Sequence, residues 1–147
     1  MTNNRNSWRV LFIVFLLSIA LNLIWEFWHV RYYTVPGGVV FGLRYPWFLL
    51  VATFWDGIIV AGLYSFVAIL WQDSEWYKYI TFYKILTLIL SGLLIALFIE
   101  HRALWQGKWG YTPSMPIIPI MHAGLTPILQ MILLPPIVVC MLKKVLK

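Results

Sequence analysis

The chain has 147 residues, of which 62% are hydrophobic and 18% aromatic, and its formal net charge is +6. Only 11% of the residues are charged, whereas a soluble domain carries about 25%, and so short a chain cannot bury this much apolar surface in one core. The composition excludes a soluble enzyme and a water-exposed basic domain that binds nucleic acid. It predicts an integral membrane protein that contacts membrane lipids.

Four apolar segments are long enough to cross a hydrocarbon layer of about 30 Å, which takes about 20 helical residues. They cover residues 10–29, 47–71, 79–100 and 117–142. Trp and Tyr residues mark nearly every end of these segments, as expected at the headgroup level. We therefore predict an all-α fold, a polytopic bundle of four transmembrane helices that forms a single domain over residues 1–147.

The first predicted span follows Arg5 and Arg9 and has no small-residue cleavage site, so we interpret it as a retained signal anchor. Its polar residues recur every three or four positions, which places them on one face of a helix. This polar stripe consists of Ser18, Asn22, Glu26, His29 and Tyr33.

The loop after the first span contains a predicted turn at residues 36–38 and an apolar segment, residues 39–41, that we interpret as a lid over the interface. Arg31 and Arg44 flank this loop, and Arg102 lies on the neighbouring one. These cations would hold an anionic headgroup at the mouth of a cavity. Ordinary anchoring to lipid headgroups is the alternative interpretation.

The second predicted span carries Asp56 about 13 Å along the helix from Trp47, on the same face as Thr53. A carboxyl group at this depth costs on the order of 3 kcal/mol on insertion scales, so it usually faces a cavity or a partner. Asp56 is therefore a candidate functional residue.

The short loops carry an uneven distribution of Lys and Arg. With four spans, both termini and the loop between spans two and three lie on one side, and that side has the excess of basic residues. Cytoplasmic loops carry such an excess, so we predict a multi-pass protein of the cell membrane, here the inner membrane, with both termini in the cytoplasm.

The third predicted span ends in the sequence Ile-Glu-His-Arg-Ala-Leu-Trp, residues 99–105, where charged residues follow an apolar run. Glu100 continues a line of small residues, the kind of face that lets membrane helices approach closely. We therefore predict that Glu100 points into the bundle. The small residues on this face are Gly92, Ala96 and Ala103.

The other polar residues at the end of the third predicted span are assigned to the membrane surface. His101 is placed at the lipid interface, and Arg102 and Trp105 are interfacial anchors that also qualify as ligand-binding residues.

The fourth predicted span places His122, Thr126 and Gln130 on one face. Pro127 lies within this stripe, and a proline inside a helix frees the carbonyl group one turn earlier. Broken helices near the membrane midplane line the binding sites of transporters. We predict a proline-broken fourth helix that lines a site, with a kink that only improves packing as the alternative.

Because successive spans run in opposite directions, the acids and histidines of the four spans lie in the same half of the membrane, namely Glu26, His29, Asp56, Glu100, His101 and His122. The predicted catalytic residues are Glu26, Asp56 and Glu100, and the predicted binding residues are Asn22, His29, Arg102, Trp105, His122 and Gln130. No metal or other cofactor is predicted, because dinuclear helical bundles use Glu-x-x-His twice and this chain has it once.

Acid–base chemistry needs a proton donor and a proton acceptor, and the cluster offers both inside a lipid-facing bundle. The favoured interpretation is a protein that binds, or acts by acid–base chemistry on, a lipid or isoprenoid. Two alternatives stay open. The first is a small transporter or proton-coupled carrier, for which a homo-oligomer would enlarge the pathway. The second is a non-catalytic assembly partner whose polar network is structural.

The final third of the chain carries a longer pattern, Gly-Lys-Trp-x-Tyr-x-x-x-Met-Pro at residues 107–116 followed by Gly-Leu-x-Pro-x-x-Gln at residues 124–130. This pattern resembles small bacterial four-helix membrane proteins of unassigned function. The Trp55-Asp56 pair, with the Gly-Lys-Trp sequence, is also similar to the small-subunit type of lycopene cyclase. The paired glutamates expected of such cyclases are missing, so the resemblance assigns no residue a role.

Overall fold

The computed structural model describes residues 4–35 and 46–147 of the chain. Its four long helices are α1 (Asn4–His29), α2 (Pro46–Leu70), α3 (Phe82–Trp105) and α4 (Leu125–Val145). A 3-10 turn, Val30–Tyr32, extends α1. Four two-residue strands form two small antiparallel pairs, with β1 (Tyr33–Thr34) against β2 (Gly110–Tyr111), and β3 (Ile117–Ile118) against β4 (Ala123–Gly124).

Each long helix is apolar enough to cross a membrane, over residues Ser7–Tyr32, Trp47–Leu70, Phe82–Trp105 and Leu125–Val145. Large apolar side chains on the outside of every helix are exposed, as a lipid-facing surface requires. The predicted fold class, an all-α bundle of four membrane helices, is confirmed.

The four helices form two helical hairpins. α1 packs along α2, α3 packs along α4, and contacts between α1 and α4 join the two hairpins, whereas α2 and α3 make few contacts with each other. We call the end of the bundle with both termini the terminus end, and the end with the four strands the strand end. Because both hairpins are antiparallel, the loop between α2 and α3 lies at the terminus end.

The apolar core fills the terminus end. All four helices and the loop between α2 and α3 contribute to it. Its buried residues are Val10, Val14, Val60, Leu63, Tyr64, Val67, Trp76, Tyr77, Leu88, Val138, Val139 and Leu142.

The loop between α2 and α3 is fixed by an aromatic pair. Trp76 is fully buried and stacks on Tyr64 of α2 with ring centroids 5.0 Å apart. The Tyr64 hydroxyl donates to the carbonyl oxygen of Ser74 at 2.9 Å, and the Lys84 ammonium pairs with Asp73 at 2.7 Å. The loop therefore closes this end of the bundle.

The small-residue face of α3 is buried as predicted, with Gly92, Ala96, Glu100 and Ala103 all on the packed side. A Cβ atom at Gly92 would overlap the carbonyl oxygen of Met131 on α4. The absence of that atom lets the two backbones approach each other.

The helix α3 is terminated by a glycine in the left-handed conformation, a common way for helices to end. Gly107 follows the C-cap residue Gln106 and has a φ of 62°, in the left-handed region where a side chain is costly.

The fourth helix begins at Leu125, eight residues after the predicted start at Ile117. Residues 117–124 instead form the β3–β4 hairpin, in which Ile117 pairs with Gly124 and Ile118 with Ala123; β-branched residues such as these isoleucines favour the extended conformation. Pro127 is the third residue of α4, where no intrahelical N–H bond is lost, so it does not break the helix at the polar stripe. The prolines inside α4 are Pro135 and Pro136.

The predicted turn at residues 36–38, the predicted lid at residues 39–41 and Arg44 lie outside the described residues.

Candidate functional site

A cavity of about 440 Å³ opens at the strand end of the bundle, above the apolar core. This volume is in the range of about 300–1,000 Å³ that small-molecule sites occupy. Its walls are mostly apolar, and polar side chains from each of the four helices reach it. The lining residues are Glu26, His29, Val30, Tyr33, Phe48, Val51, Ala52, Trp55, Asp56, Ile59, Ala96, Ile99, Glu100, Trp109, Pro127, Gln130 and Met131.

The polar stripe of α1 is buried along its whole length, as its spacing predicted. Ser18 donates to the carbonyl oxygen of Val14 at 2.7 Å, and the amide group of Asn22 donates to the carbonyl oxygen of Ser18 at 2.9 Å. One turn further on, His29 Nε2 lies 3.0 Å from Glu26 Oε1. The stripe therefore leads from the middle of α1 to the cavity wall.

Gln130 of α4 connects the stripe with α2. Its amide nitrogen lies 2.8 Å from Asn22 Oδ1, 3.1 Å from Glu26 Oε1 and 3.0 Å from Asp56 Oδ2. A side-chain amide carries two N–H donors, so three oxygens share two hydrogens. Gln130 therefore holds two acids and an amide from two other helices around a single nitrogen.

The carboxyl groups of Glu26 and Asp56 are neighbours, since an oxygen of each lies 3.1 and 3.0 Å from the same Gln130 nitrogen. Two carboxylates that share a site repel each other, and a proton on the pair relieves that repulsion. Asp56 is only partly buried and lines the cavity, whereas Glu26 is buried. Asp56 is therefore the member of the pair through which a proton would reach a molecule in the cavity.

Glu100 occupies a second polar centre, formed by tyrosines. The Tyr33 hydroxyl donates to Glu100 Oε1 at 3.2 Å, and the Tyr111 hydroxyl donates to Glu100 Oε2. The oxygen of Tyr111 in turn accepts from the backbone N–H of Gly124 at 2.9 Å. Glu100 thus ties both strands of the β1–β2 pair to α3 and, through Tyr111, to the start of α4.

Both tyrosines lie outside the spans and keep their protons. Burial, followed by the nearby Glu100 carboxyl group, raises the pKa of the Tyr111 hydroxyl. The same two causes raise the pKa of Tyr33. Both hydroxyls therefore remain hydrogen-bond donors to Glu100.

Among the residues that the structure describes, four buried side-chain polar atoms have no hydrogen-bond partner. They are Trp25 Nε1, His29 Nδ1, Thr53 Oγ1 and Trp109 Nε1. His29 and Trp109 line the cavity, and the Trp109 indole nitrogen lies near Glu100 without reaching hydrogen-bond geometry. Buried polar groups are normally paired, so these two atoms mark where a ligand would find partners.

The cavity opens sideways between α2 and α3, which make few contacts with each other. Phe48, Val51 and Trp55 of α2 line it and are 38%, 40% and 58% exposed. Side chains that both line a cavity and face outward form its opening. In a bilayer that opening faces lipid.

The structure brings six of the predicted site residues together. Asn22, Glu26, His29, Asp56 and Gln130 form one connected cluster, and Glu100 lies on the same cavity.

Three predicted site residues lie elsewhere. His122 is exposed in the β3–β4 turn with a φ of 48°, so it does not continue the stripe of Thr126 and Gln130. Arg102 and Trp105 are exposed and line a separate shallow groove on the outer surface of α3, next to His101.

Sequence reasoning missed four aromatic residues as site residues, namely Tyr33, Trp55, Trp109 and Tyr111. Tyr33 is the last residue of the α1 stripe, and this position in the sequence could have identified it as a site residue. Trp109 and Tyr111 were interpreted as residues that mark the ends of spans, although Trp109, Tyr111 and Gln130 all belong to the longer pattern of the final third.

The ligand set for a metal is incomplete in the described part of the chain, where no three His, Cys, Asp or Glu side chains group closely enough to hold an ion. The donors are instead occupied by Gln130 and the tyrosines.

Comparison with family models, with curated proteins and with solved structures finds no match for this chain. The two resemblances drawn from its sequence patterns therefore stay predictions.

Proposed function

We propose that the protein binds a lipid or isoprenoid in the cavity and that Glu26, Asp56 and Glu100 perform acid–base chemistry on it. The observation that supports this proposal is that one apolar cavity, open between α2 and α3, contains two separate carboxyl centres. One is formed by Glu26 and Asp56, and the other by Glu100. Apolar walls with a few convergent polar groups are typical of ligand sites. An opening toward lipid favours a ligand that is dissolved in the bilayer.

The two carboxyl centres differ in the way that acid–base catalysis requires. Glu26 and Asp56 share the Gln130 amide nitrogen, and two carboxyl groups placed together in this way favour binding one proton between them, which the pair can donate. Glu100 accepts hydrogen bonds from two tyrosines, which stabilise its ionised form. The cavity thus offers a proton donor on one wall and a proton acceptor on another.

The test is the lipid that co-purifies with the protein. We expect native mass spectrometry of the detergent-purified chain to detect one bound lipid-like molecule, and lipid extraction to identify it. Ala52 lines the cavity, so Ala52→Trp should fill it and abolish the adduct. Val51→Trp, at the opening, should weaken the adduct.

The matched control is Ala20→Trp, on the exposed face of α1. This variant adds the same side chain outside the cavity and should keep the adduct. Thermal unfolding measurements verify that Ala52→Trp is folded. If this variant retains as much bound lipid as Ala20→Trp does, the cavity is not the binding site and the proposal fails.

A further inference from the structure

The polar end of the cavity is acidic. Three of its lining residues carry carboxyl groups, and among the described residues that line it there is no Lys or Arg. Arg31 instead lies over the rings of Trp28 and Tyr32, at 5.3 and 5.1 Å from their centroids. A ligand with an anionic headgroup would meet like charge there.

His29 has a buried ring nitrogen, Nδ1, without a hydrogen-bond partner. Its side chain is 95% buried, and its Nε2 lies 3.0 Å from Glu26 Oε1, an oxygen that also accepts from Gln130. With Nε2 as the donor, the neutral ring leaves Nδ1 as an acceptor, and Nδ1 has no partner. An unpaired buried acceptor is costly. In this tautomer, a ligand that pairs with Nδ1 of His29 donates an N–H or O–H group.

The walls around these acids are aromatic. Tyr33, Phe48, Trp55 and Trp109 all line the cavity. The faces of such rings attract cations, most strongly where water is excluded. The carboxyl groups, the Nδ1 acceptor of His29 and the aromatic rings of the cavity thus favour the same kind of ligand group, a positively charged hydrogen-bond donor.

We propose that the ligand is an amphiphile with a protonated amine. Its N–H donates to Nδ1 of His29, its charge is balanced by the Glu26–Asp56 pair and by Glu100, and its apolar chain leaves through the opening between α2 and α3. This inference rests on the proposed function, because it names the chemical class of the molecule in the same cavity.

The experiment uses decyl probes that carry a photoreactive diazirine in the chain and differ only in the headgroup. Decylamine, decanol, decyltrimethylammonium and decanoate are compared on the full chain in lipid nanodiscs, and labelled peptides are quantified by mass spectrometry. We expect the amine to label cavity-lining peptides at least about tenfold more than the alcohol or the carboxylate, as a charge-assisted hydrogen bond implies. The trimethylammonium probe, which has no N–H, should label less than the amine.

Variants separate the cavity acids from general surface charge. Asp56→Asn and Glu100→Gln should each lower the ratio of amine to alcohol labelling at least about threefold, since each removes a carboxyl group that lines the cavity and can pair with the ammonium group. Glu75→Gln removes an acid from the loop at the terminus end and should leave the ratio unchanged. Thermal unfolding of every variant verifies that it is folded.

Each failure has its own signature. Equal labelling by amine and alcohol, with both lost in Ala52→Trp, would leave the cavity as a binding site and overturn the preference for an amine. Equal labelling by the amine and trimethylammonium probes would overturn the role of His29. If none of the probes labels the cavity-lining peptides, or if Ala52→Trp leaves the labelling unchanged, the proposed function itself is overturned.

Discussion

The donor with the most partners in the cavity is the amide group of Gln130. Acceptors from α1 and α2 converge on its nitrogen, and without it Asn22 Oδ1 and Asp56 Oδ2 would lose the only donor that reaches them among the described residues. Leaving buried polar groups unpaired costs about 1–3 kcal/mol. The side chain therefore contributes to stability whatever the cavity binds.

We predict that Gln130→Leu lowers the free energy of unfolding by about 1–3 kcal/mol. The substitution removes the shared donor and puts an apolar side chain of similar size in its place. Thermal or denaturant unfolding in detergent measures this effect. Gln106→Leu, at an exposed position after α3, is the matched control and should leave stability nearly unchanged. Equal stability of the two variants would show that the network contributes nothing to the fold.

The carboxyl groups themselves are predicted to matter for function and not for folding. In Asp56→Asn one oxygen still accepts from Gln130, and the new amide group can donate to Glu26. In Glu100→Gln the amide group can pair with both tyrosine oxygens. Both variants should melt no lower than wild type and fail to complement a deletion strain, since active sites trade stability for function. Full complementation by both would exclude catalysis, and large losses of stability would make the acids structural.

At the scale of elements, the β1–β2 pair and the start of α4 are joined through one hydroxyl group. Tyr111 donates to Glu100 and accepts from Gly124, so its loss affects a helix, a strand pair and a helix N-terminus together. Trp109, the residue before β2, lines the cavity.

We predict that Tyr111→Phe makes the backbone amides of residues 110–124 exchange with deuterium roughly tenfold faster, because Glu100 Oε2 and the N–H of Gly124 lose their partner. Hydrogen–deuterium exchange with mass spectrometry gives the measurement. Tyr79→Phe, 77% exposed in the other loop, should change nothing. Unchanged exchange in Tyr111→Phe would mean that the hydroxyl does not hold this segment.

A pair of glycines tests how closely α3 and α4 must approach. We predict that Gly92→Ala destabilises the bundle, since the new methyl group overlaps the Met131 carbonyl oxygen and forces the helices apart. Gly62→Ala meets nothing within 4 Å, and in a helix interior it should add about 0.5–1 kcal/mol of stability. Melting temperatures that move in the same direction for both would contradict this packing.

Helical spacing predicted the parts of the site that lie on helices. The α1 stripe and the inward position of Glu100 follow from periods of three and four residues, which need no knowledge of neighbours. His122 was misplaced because the apolar residues from 117 onward hid a hairpin, and helical spacing has no meaning there. The role of Tyr111 could not be predicted, since its contact with Glu100 depends on how the non-helical segment between α3 and α4 folds.

At the scale of the whole molecule, the orientation in the membrane stays a prediction from the distribution of Lys and Arg. We predict that Ser114→Cys, at the strand end, reacts with an impermeant thiol reagent in intact cells, whereas Tyr79→Cys, at the terminus end, does not. Both positions are exposed, and Cys140, the single native cysteine, is replaced by Ala in both. The opposite labelling pattern would invert the orientation and leave the cavity unchanged.

The division into two hairpins has a consequence for how the protein assembles. The α1–α2 hairpin carries Glu26 and Asp56, whereas their donor, Gln130, belongs to the α3–α4 hairpin. Until the second hairpin arrives, the first holds two acids in lipid without that donor, a costly state. Docking of the hairpins is therefore driven by polar pairing at one end as well as by apolar packing at the other, and the amide that completes the network selects the register in which the two halves meet.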